Sequence, residues 1–354
     1  MLSCEAKVKN NKPLIWNVDA LEEMKLNLIN DKDAKAIISL ADRYCEKTPV
    51  VVIDKGKSTF EPNVHYYCSV GQYWWPDSLN LGSYIRRDGI ANPESKKYDR
   101  VRLTELAKRC EKLSKAFYLT RDRKYFDALK MQLRAWFINE DTYMLPNFEY
   151  SQVIPGQDDN RGRGAGIIDA YDFNTVIESI RLVNGVKKIN RRTMKGLQKW
   201  FLSFAIWTED GPFGEYVRKK DNNIGLAADV TLVNMYLFAG NETRAKEIAD
   251  SFAERRIYKQ ITEEGLQPAE LERTNAFSYS LANLSHLVDF CFLVRYWDTD
   301  YYYKNHNRID AAFQYLEQFV DDENTFPYKQ IGGWEAGKEG YHKQSARLKM
   351  LKIQ

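Results

Sequence analysis

Paired runs of helical periodicity constrain the fold of this chain more than any other feature. Apolar residues recur at the spacing of amphipathic helices, and from residue 101 onward the helices come in pairs joined by short polar turns. Such hairpins bury their apolar stripes by stacking side by side. This predicts an all-α fold, an α/α toroid (incomplete α/α barrel) built from helical hairpins. The predicted pairs are Val101–Tyr118 with Arg123–Phe137, Ile168–Val183 with Arg191–Thr208, Leu226–Phe238 with Glu242–Tyr258, and Phe277–Trp297 with Asp310–Asp322.

The part of the chain before these pairs is less regular. Two amphipathic helices are predicted at Val18–Asn30 and Asp31–Glu46, followed by a loop-rich stretch over residues 48–97. The best strand signal is Val50–Ile53. Because no Pro/Gly/Ser linker divides the chain, we predict one domain over residues 15–354, preceded by a tail at residues 1–14.

Composition excludes several classes of function. The net charge is +3 and shows no basic arm, which argues against nucleic acid as a partner. No run of 18 apolar residues predicts a transmembrane helix. The five Cys have no CxxC spacing, and the four His are not spaced as metal ligands, so neither a metal nor a cofactor is predicted.

The first residues are similar to the end of a bacterial lipoprotein signal. Met1-Leu2-Ser3-Cys4-Glu5 would place Cys4 at the lipidation position, although the apolar h-region is absent and an ordinary N-terminus that contains Cys fits as well. On the first interpretation, the protein is periplasmic or anchored to the outer membrane.

Two polar clusters at the start of apolar helical runs carry the functional signal. One is Asp221-Asn222-Asn223-Ile224-Gly225, and the other is Glu270-Leu271-Glu272-Arg273-Thr274, followed by Tyr279. Two amides, a fixed cation and a phenol can bind a carboxylate and move a proton beside it. Arg273 and a helix N-terminus are expected to lower the pKa of Tyr279, which makes it a usable base. The alternatives are that Asn223 caps its helix and that Tyr279 only hydrogen bonds in the core.

Other polar segments are expected to line the same cleft. Aromatic and cationic side chains suit a charged sugar, and they are found at Trp74, Trp75, Arg86 and Arg87. The alternative is a packed loop in which Arg86 or Arg87 pairs with Asp88. A further group, Asn147, Tyr150 and Gln152, is predicted on one side of an extended stretch. The glycines of Arg161–Gly166 lack the ending of a phosphate loop and are interpreted as a sharp turn into a helix.

The order of these motifs resembles the alginate lyase superfamily of polysaccharide lyases, from Ile15-Trp16 to about Trp297. The resemblance implies an α/α toroid that cleaves a uronic-acid polymer by β-elimination, without a required redox cofactor. An acidic polysaccharide is therefore the expected partner. The matching elements are Ser69–Asp77, Ile85–Gly89, Asn92-Pro93, Ala135–Phe137, Met144–Asn147, Tyr150, Gln152, Asn222-Asn223, Gln260, Gln267-Pro268, Glu270, Arg273-Thr274, Tyr279-Ser280 and Asn283-Leu284.

The family pattern continues Asn-Asn with His, but this chain has Ile224. In mannuronate and glucuronate, H5 and O4 lie on one face of the ring, so a single Tyr279 can serve as base and acid. The resemblance then implies that Arg273 tunes Tyr279 and that Asn223, with Asn222, neutralises the substrate carboxylate. Gln260 and Glu270 complete the expected substrate-binding set.

Two other functions remain open at this point. A catalytically degenerate glycan-binding relative fits the loss of the histidine equally well. A glycoside hydrolase would need two facing carboxylates, for which Glu215 and Glu270 are the loop candidates. Either His65 or His286 would restore a histidine if it folded back towards Ile224.

Overall fold

A computed structural model describes residues 10–352, and in this range most of the regular secondary structure is helix. This confirms the predicted α/α toroid. The lipoprotein-like segment Met1–Glu5 lies outside the described residues. The helices are α1 Val18–Leu26, α2 Lys32–Cys45, α3 Asp99–Thr120, α4 Arg123–Phe137, α5 Asp172–Val186, α6 Arg191–Asp210, α7 Pro212–Arg218, α8 Asn223–Ala239, α9 Glu242–Asp250, α10 Tyr258–Gln260, α11 Pro268–Leu271, α12 Ala276–Val294, α13 Tyr301–Glu317 and α14 Trp334–Lys352.

Five helices form the inner layer of the toroid, and neighbouring members pack in the order α3, α5, α8, α12 and α14. The helices α4, α6, α9 and α13 pack on their outer sides. Because an outer helix returns the chain after each inner helix, the inner helices run in the same direction. Their N-termini therefore lie at one end of the toroid, where the longer loops also gather. The partial positive charge of helix N-termini favours an anionic ligand at this end.

The apolar composition of the inner helices explains why they are buried. In α8, nearly every residue is buried, as expected for a helix that is hydrophobic all round. The helix α12 is long and apolar enough to cross a membrane by length and composition, but 67% of that stretch is buried inside the protein. Its apolar residues therefore pack against other helices of the inner layer.

Short strands shape the loops at the N-terminal end of the toroid. The strands β1 Cys68–Val70 and β4 Tyr150–Val153 pair in parallel. The strands β2 Trp74–Pro76 and β3 Tyr84–Arg86 pair antiparallel and form a hairpin. This hairpin, with its flanking residues 72–91, is called the β2–β3 hairpin below.

The predicted strand at Val50–Ile53 is wrong. The segment forms a 3₁₀ turn, Val52–Lys55, because a side chain takes the place of a neighbouring strand. Gln132 accepts a hydrogen bond from the N–H of Val50 at 2.9 Å and donates one to its carbonyl at 2.7 Å. One amide thus satisfies both backbone groups.

Several helix boundaries also differ from the prediction. The helix predicted at Glu242–Tyr258 ends at Asp250 and continues as a π-helical turn, Ala253–Ile257. The last outer helix begins at Tyr301 rather than Asp310, and α14 was not predicted. Glycines at 337 and 340 weakened the helical signal of α14, whereas its burial against α12 stabilises it.

Candidate active site

An ion pair joins the β2–β3 hairpin to the start of α12. The carboxylate of Asp88 accepts hydrogen bonds from Nε and Nη2 of Arg273 at 3.0 and 2.8 Å, and from N and Oγ1 of Thr274 at 3.2 and 3.0 Å. Burial by itself would raise the pKa of Asp88, but these hydrogen bonds outweigh it and hold the pKa well below its usual range. Asp88 therefore stays charged and fixes Arg273.

Tyr279 lies between this cation and a second phenol. The guanidinium carbon of Arg273 is 3.6 Å from the centre of the Tyr279 ring. The hydroxyl of Tyr73, from the β2–β3 hairpin, hydrogen bonds with the hydroxyl of Tyr279 at 2.6 Å. The hairpin thus covers Tyr279 and supplies it with a partner that the sequence-based site did not include.

The expectation of a lowered pKa for Tyr279 is wrong for this conformation. Burial raises the pKa well above its ordinary value, and the hydrogen bond with Tyr73 raises it further. Arg273 acts in the opposite direction but does not prevail, because Asp88 lies against the same guanidinium. Tyr279 is therefore a neutral phenol while Tyr73 covers it.

The two asparagines at the start of α8 have different roles. Asn222 caps the helix, with its Oδ1 accepting from the N–H of Ile224 at 3.2 Å. Asn223 is the first helical residue, and its backbone N–H and Nδ2 donate to the carboxylate of Glu270 at 2.6 and 2.8 Å. Glu270 is only 1% exposed, so it positions Asn223 and is not accessible to a substrate in this structure.

Buried polar residues support the loop that precedes α8. Nε2 of Gln260, which is 4% exposed, donates to the carbonyl of Asn222 at 3.3 Å, and its Oε1 accepts from Asn283 at 3.1 Å. Arg256 is fully buried and donates to the carbonyl of Val217 at 3.1 Å. Nε of Arg256 also pairs with Asp229 of α8 at 2.7 Å. The position of the Asn222-Asn223 pair is thus set by groups from several elements.

The predicted residues of the β2–β3 hairpin mostly brace one another. Nε1 of Trp75 donates to the carbonyl of Ile90 at 2.9 Å, and Arg87 lies 5.0 Å from the Trp75 ring. Arg86 pairs with Asp88 at 2.6 Å, as the packed-loop alternative expected, but Asp88 holds Arg273 at the same time. Trp74 is half-buried at the start of β2.

The predicted alignment of Asn147, Tyr150 and Gln152 on one side is wrong. Tyr150 is 8% exposed and packs with Val153, whereas the side chain of Gln152 is directed to Asp169 and Arg163. Gln152 has a φ of 51°, and this left-handed backbone breaks the alternation of the strand. Asn147 is half-buried and accepts a hydrogen bond from the N–H of Glu149 at 3.2 Å.

Neither histidine is seen to fill the position next to the asparagine pair. His65 bonds through Nδ1 to the carbonyl of Tyr143 at 2.7 Å and packs on that ring. His286 packs on Tyr171, with ring centres 4.1 Å apart, and burial lowers its pKa to about 4. Ile224 itself packs against the main hydrophobic core. Within residues 10–352, no group of three or more His, Cys, Asp or Glu could hold a metal.

An open groove of about 840 Å³ lies beside the β2–β3 hairpin, between α12 and α14. Tyr279 is not part of its wall, although its neighbour in the chain, Ser278, is. The wall of the groove contains no ionisable side chain. Its lining includes Gly89, Asn275, Ser278, Ser285, Gly337 and Gln344.

Comparison with known proteins places the chain in a family. Residues 52–326 match the family model described as alginate lyase. The chain belongs to the alginate lyase family. This confirms the resemblance drawn from the motifs, and the protein is a polysaccharide lyase by family and fold. It is similar in structure to an alginate lyase from Bacteroides ovatus, with a TM-score of 0.91 and 32% identity over 97% of this chain and 92% of that chain. No curated protein matches the sequence.

Asp88→Asn tests the pair that anchors Arg273. The variant is expected to lower the free energy of unfolding by about 2 kcal/mol at neutral pH, as hydrogen bonds to charged groups contribute. Because the pKa of Asp88 is depressed in the folded protein, this stabilisation is present above the unfolded value of about 3.9 and is lost as the pH falls through the folded value. Urea denaturation at neutral and acidic pH measures the difference.

The matched control for this test is Glu94→Gln, which removes an exposed ion pair with Lys97. We expect little change in unfolding for it at either pH. A loss for Asp88→Asn that is equally large at both pH values would contradict the assigned role of the carboxylate.

Proposed function

We propose that this polysaccharide lyase cleaves a mannuronate- or glucuronate-containing polymer by syn β-elimination. Three features support this proposal. Arg273 lies against the ring of Tyr279, and Glu270 holds Asn223 at the start of α8. The sequence has Ile224 where the family resemblance implies a second proton-transfer group. A single residue must then both remove and deliver the proton, which is possible when H5 and O4 lie on one face of the sugar ring.

The proposed reaction balances around Tyr279. Its phenolate oxygen removes H5, and the electron pair left on C5 forms the C4–C5 double bond as the C4–O4 bond breaks. The phenol then returns its proton to O4, which restores the phenolate. The new chain ends are an unsaturated uronate and a free hydroxyl. No proton acceptor other than Tyr279 is needed.

Charge neutralisation at the substrate carboxylate makes H5 acidic enough to be removed. Asn223 carries a second amide proton besides the one that Glu270 accepts, and it lies at the N-terminus of α8, where backbone N–H groups favour an anion. Arg273 lies against the phenol and adds positive charge beside it. The half-buried Asp88 fixes Arg273 and the buried Glu270 fixes Asn223, so neither group needs to reorganise during the reaction.

Access to Tyr279 requires the hydroxyl of Tyr73 to move aside. Displacing Tyr73 removes a hydrogen bond that raises the pKa of Tyr279, and Arg273 remains in place to favour the phenolate. Substrate binding and activation of the base are thereby linked through the β2–β3 hairpin.

Tyr279→Phe is expected to reduce elimination by at least about 10²–10⁴-fold, because the group that transfers both protons is lost. Binding should be nearly unchanged, since the ring and the carboxylate contacts remain. The ultraviolet absorbance of the unsaturated product measures the rate, and a titration with oligomannuronate or oligoglucuronate measures binding.

The control for this variant is Tyr303→Phe, which changes an exposed phenol on α13 whose hydroxyl donates to the carbonyl of Lys352 at 2.9 Å. Its rate should equal that of the wild type. Undiminished cleavage by Tyr279→Phe would refute the mechanism. A wild type that binds these oligomers without cutting them would support the glycan-binding alternative.

Tyr73→Phe tests the link between the hairpin and the base. Loss of the hydroxyl removes a hydrogen bond that raises the pKa of Tyr279, so the phenolate should form at lower pH. We expect the rising limb of kcat/KM against pH to shift towards lower pH, while Tyr84→Phe on the same hairpin leaves it in place. If activity instead falls by the same factor at every pH, Tyr73 does not tune the base.

A further inference from the structure

The glycine-rich segment 161–166 holds the backbone unusually close to its neighbours. An added Cβ at Gly162 would lie 2.5 Å from the backbone N of Ser151, and one at Gly164 would lie 2.3 Å from the ring of Tyr216. At Gly166 it would lie 2.1 Å from Oγ of Ser151. These contacts forbid larger residues, so the glycines allow the segment to lie against β4. The closely held backbone fixes the one long side chain between them, Arg163.

Arg163 lacks the carboxylate partner that neighbouring arginines have. Arg161, on the same segment, pairs with Glu149, and Arg86 pairs with Asp88. Within residues 10–352, no carboxylate lies within ion-pair distance of Arg163. Its Nη2 donates to Oε1 of Gln152 at 2.8 Å, and its guanidinium carbon lies 5.8 Å from the centre of the Trp74 ring.

The unpaired cation is also partly shielded from water. Nε of Arg163 is buried and has no hydrogen-bond partner. Burial lowers the pKa of Arg163, although the group remains charged at neutral pH. A desolvated guanidinium with unused donors is a strong receptor for a carboxylate, because a bidentate ion pair restores the hydrogen bonds that burial removed.

Gln152 keeps this cation apart from the nearest carboxylate. Its Nε2 donates to Oδ1 of Asp169 at 3.3 Å, while its Oε1 accepts from Arg163. The other oxygen of Asp169 accepts from Tyr67 and Ser69 at 2.8 and 3.0 Å. The left-handed backbone of Gln152 costs about 1 kcal/mol or more, and Ser69 holds it in place by accepting from its N–H at 2.8 Å. Asp169 has Arg100 within ion-pair distance at 3.7 Å, so Arg163 is the member of this group that is left without an opposite charge.

We propose that Arg163 binds the carboxylate of a uronate unit next to the unit that reacts at Tyr279. This inference rests on the proposed function, since it deepens the specificity of the same cleft. Trp74, against which Arg163 lies, follows Tyr73 directly in the chain, and the Tyr73 hydroxyl contacts Tyr279. Arg163 is also close enough to Arg86 for the two charges to interact, and Arg86 pairs with the Asp88 that holds Arg273. These contacts place the cation at the β2–β3 hairpin that covers Tyr279.

The proposal predicts that the protein prefers a polymer whose unit at Arg163 carries a carboxylate. A substrate in which the neighbouring unit is neutral would leave the Arg163 donors without a partner, which weakens binding. The groove between α12 and α14 has no ionisable side chain in its wall and provides no such discrimination. We therefore expect the negative charge of the polymer to be recognised at Arg163, and not in the groove between α12 and α14.

Binding in the Tyr279→Phe background separates this inference from the reaction. The probes are oligomannuronate and the same oligomer with its carboxylates reduced to alcohols, titrated by calorimetry. Arg163→Gln should weaken binding of the charged oligomer by about tenfold or more, as loss of a charge-assisted pair predicts, and leave the reduced oligomer unaffected. Arg161→Gln, the matched control, should change both affinities by less than about twofold, because its exposed ion pair contributes little.

Arg163→Lys provides a second variant that keeps the charge but loses the planar fork, and it should show an intermediate affinity. Thermal unfolding of each variant identifies any loss of the folded state. The inference is overturned if Arg163→Gln leaves the affinity for the charged oligomer unchanged, if it weakens both oligomers equally, or if the background variant binds neither. If selective binding persists but the wild type does not cut, only the proposed function fails.

Discussion

The ion pair between Asp88 and Arg273 is the interaction on which the candidate site depends. A single carboxylate accepts from Arg273 and Thr274 at the start of α12 and also pairs with Arg86 of the β2–β3 hairpin. It thereby fixes the hairpin over α12, which places Tyr73 on Tyr279. The same carboxylate therefore positions both Arg273 and the hairpin that covers the phenol.

A second set of buried carboxylate and amide contacts positions the other half of the site. Glu270 is 1% exposed and accepts two hydrogen bonds from Asn223. Arg256, which is fully buried, donates to the carbonyl of Val217 and so holds the segment that precedes α8. Burying a charge is costly unless the charge is paired, and each of these buried groups has a partner. Here they define where the start of α8 meets the start of α12.

The sequence predicts the toroid well because helical periodicity is a local signal. The predicted span Arg123–Phe137 agrees with the structure at both ends, and α8 and α12 were recognised by their apolar runs. The predicted strand at Val50–Ile53 failed because the partner of that backbone is the side chain of Gln132, which lies 82 residues away. Local patterns do not encode such a contact.

The candidate site was predictable only in part for the same reason. Arg273 and Tyr279 are close in sequence, and their contact followed from helix geometry. The hydroxyl of Tyr73 comes from 206 residues away, so the raised pKa of Tyr279 could not be predicted. Likewise, Glu270 was predicted to bind substrate because of its carboxylate. Its burial and its hydrogen bonds to Asn223 depend on how α11 and α8 pack, which the sequence pattern does not show. Tertiary contacts decide such roles.

The central claim is that one tyrosine both removes and returns the proton, and the stereochemistry of the substrate tests it most directly. Initial rates of product absorbance should be measured on polymannuronate, polyglucuronate, polyguluronate and polygalacturonate. We predict cleavage of polymannuronate or polyglucuronate, in which H5 and O4 share a face of the ring. Cleavage confined to polyguluronate or polygalacturonate, in which they lie on opposite faces, would contradict the account.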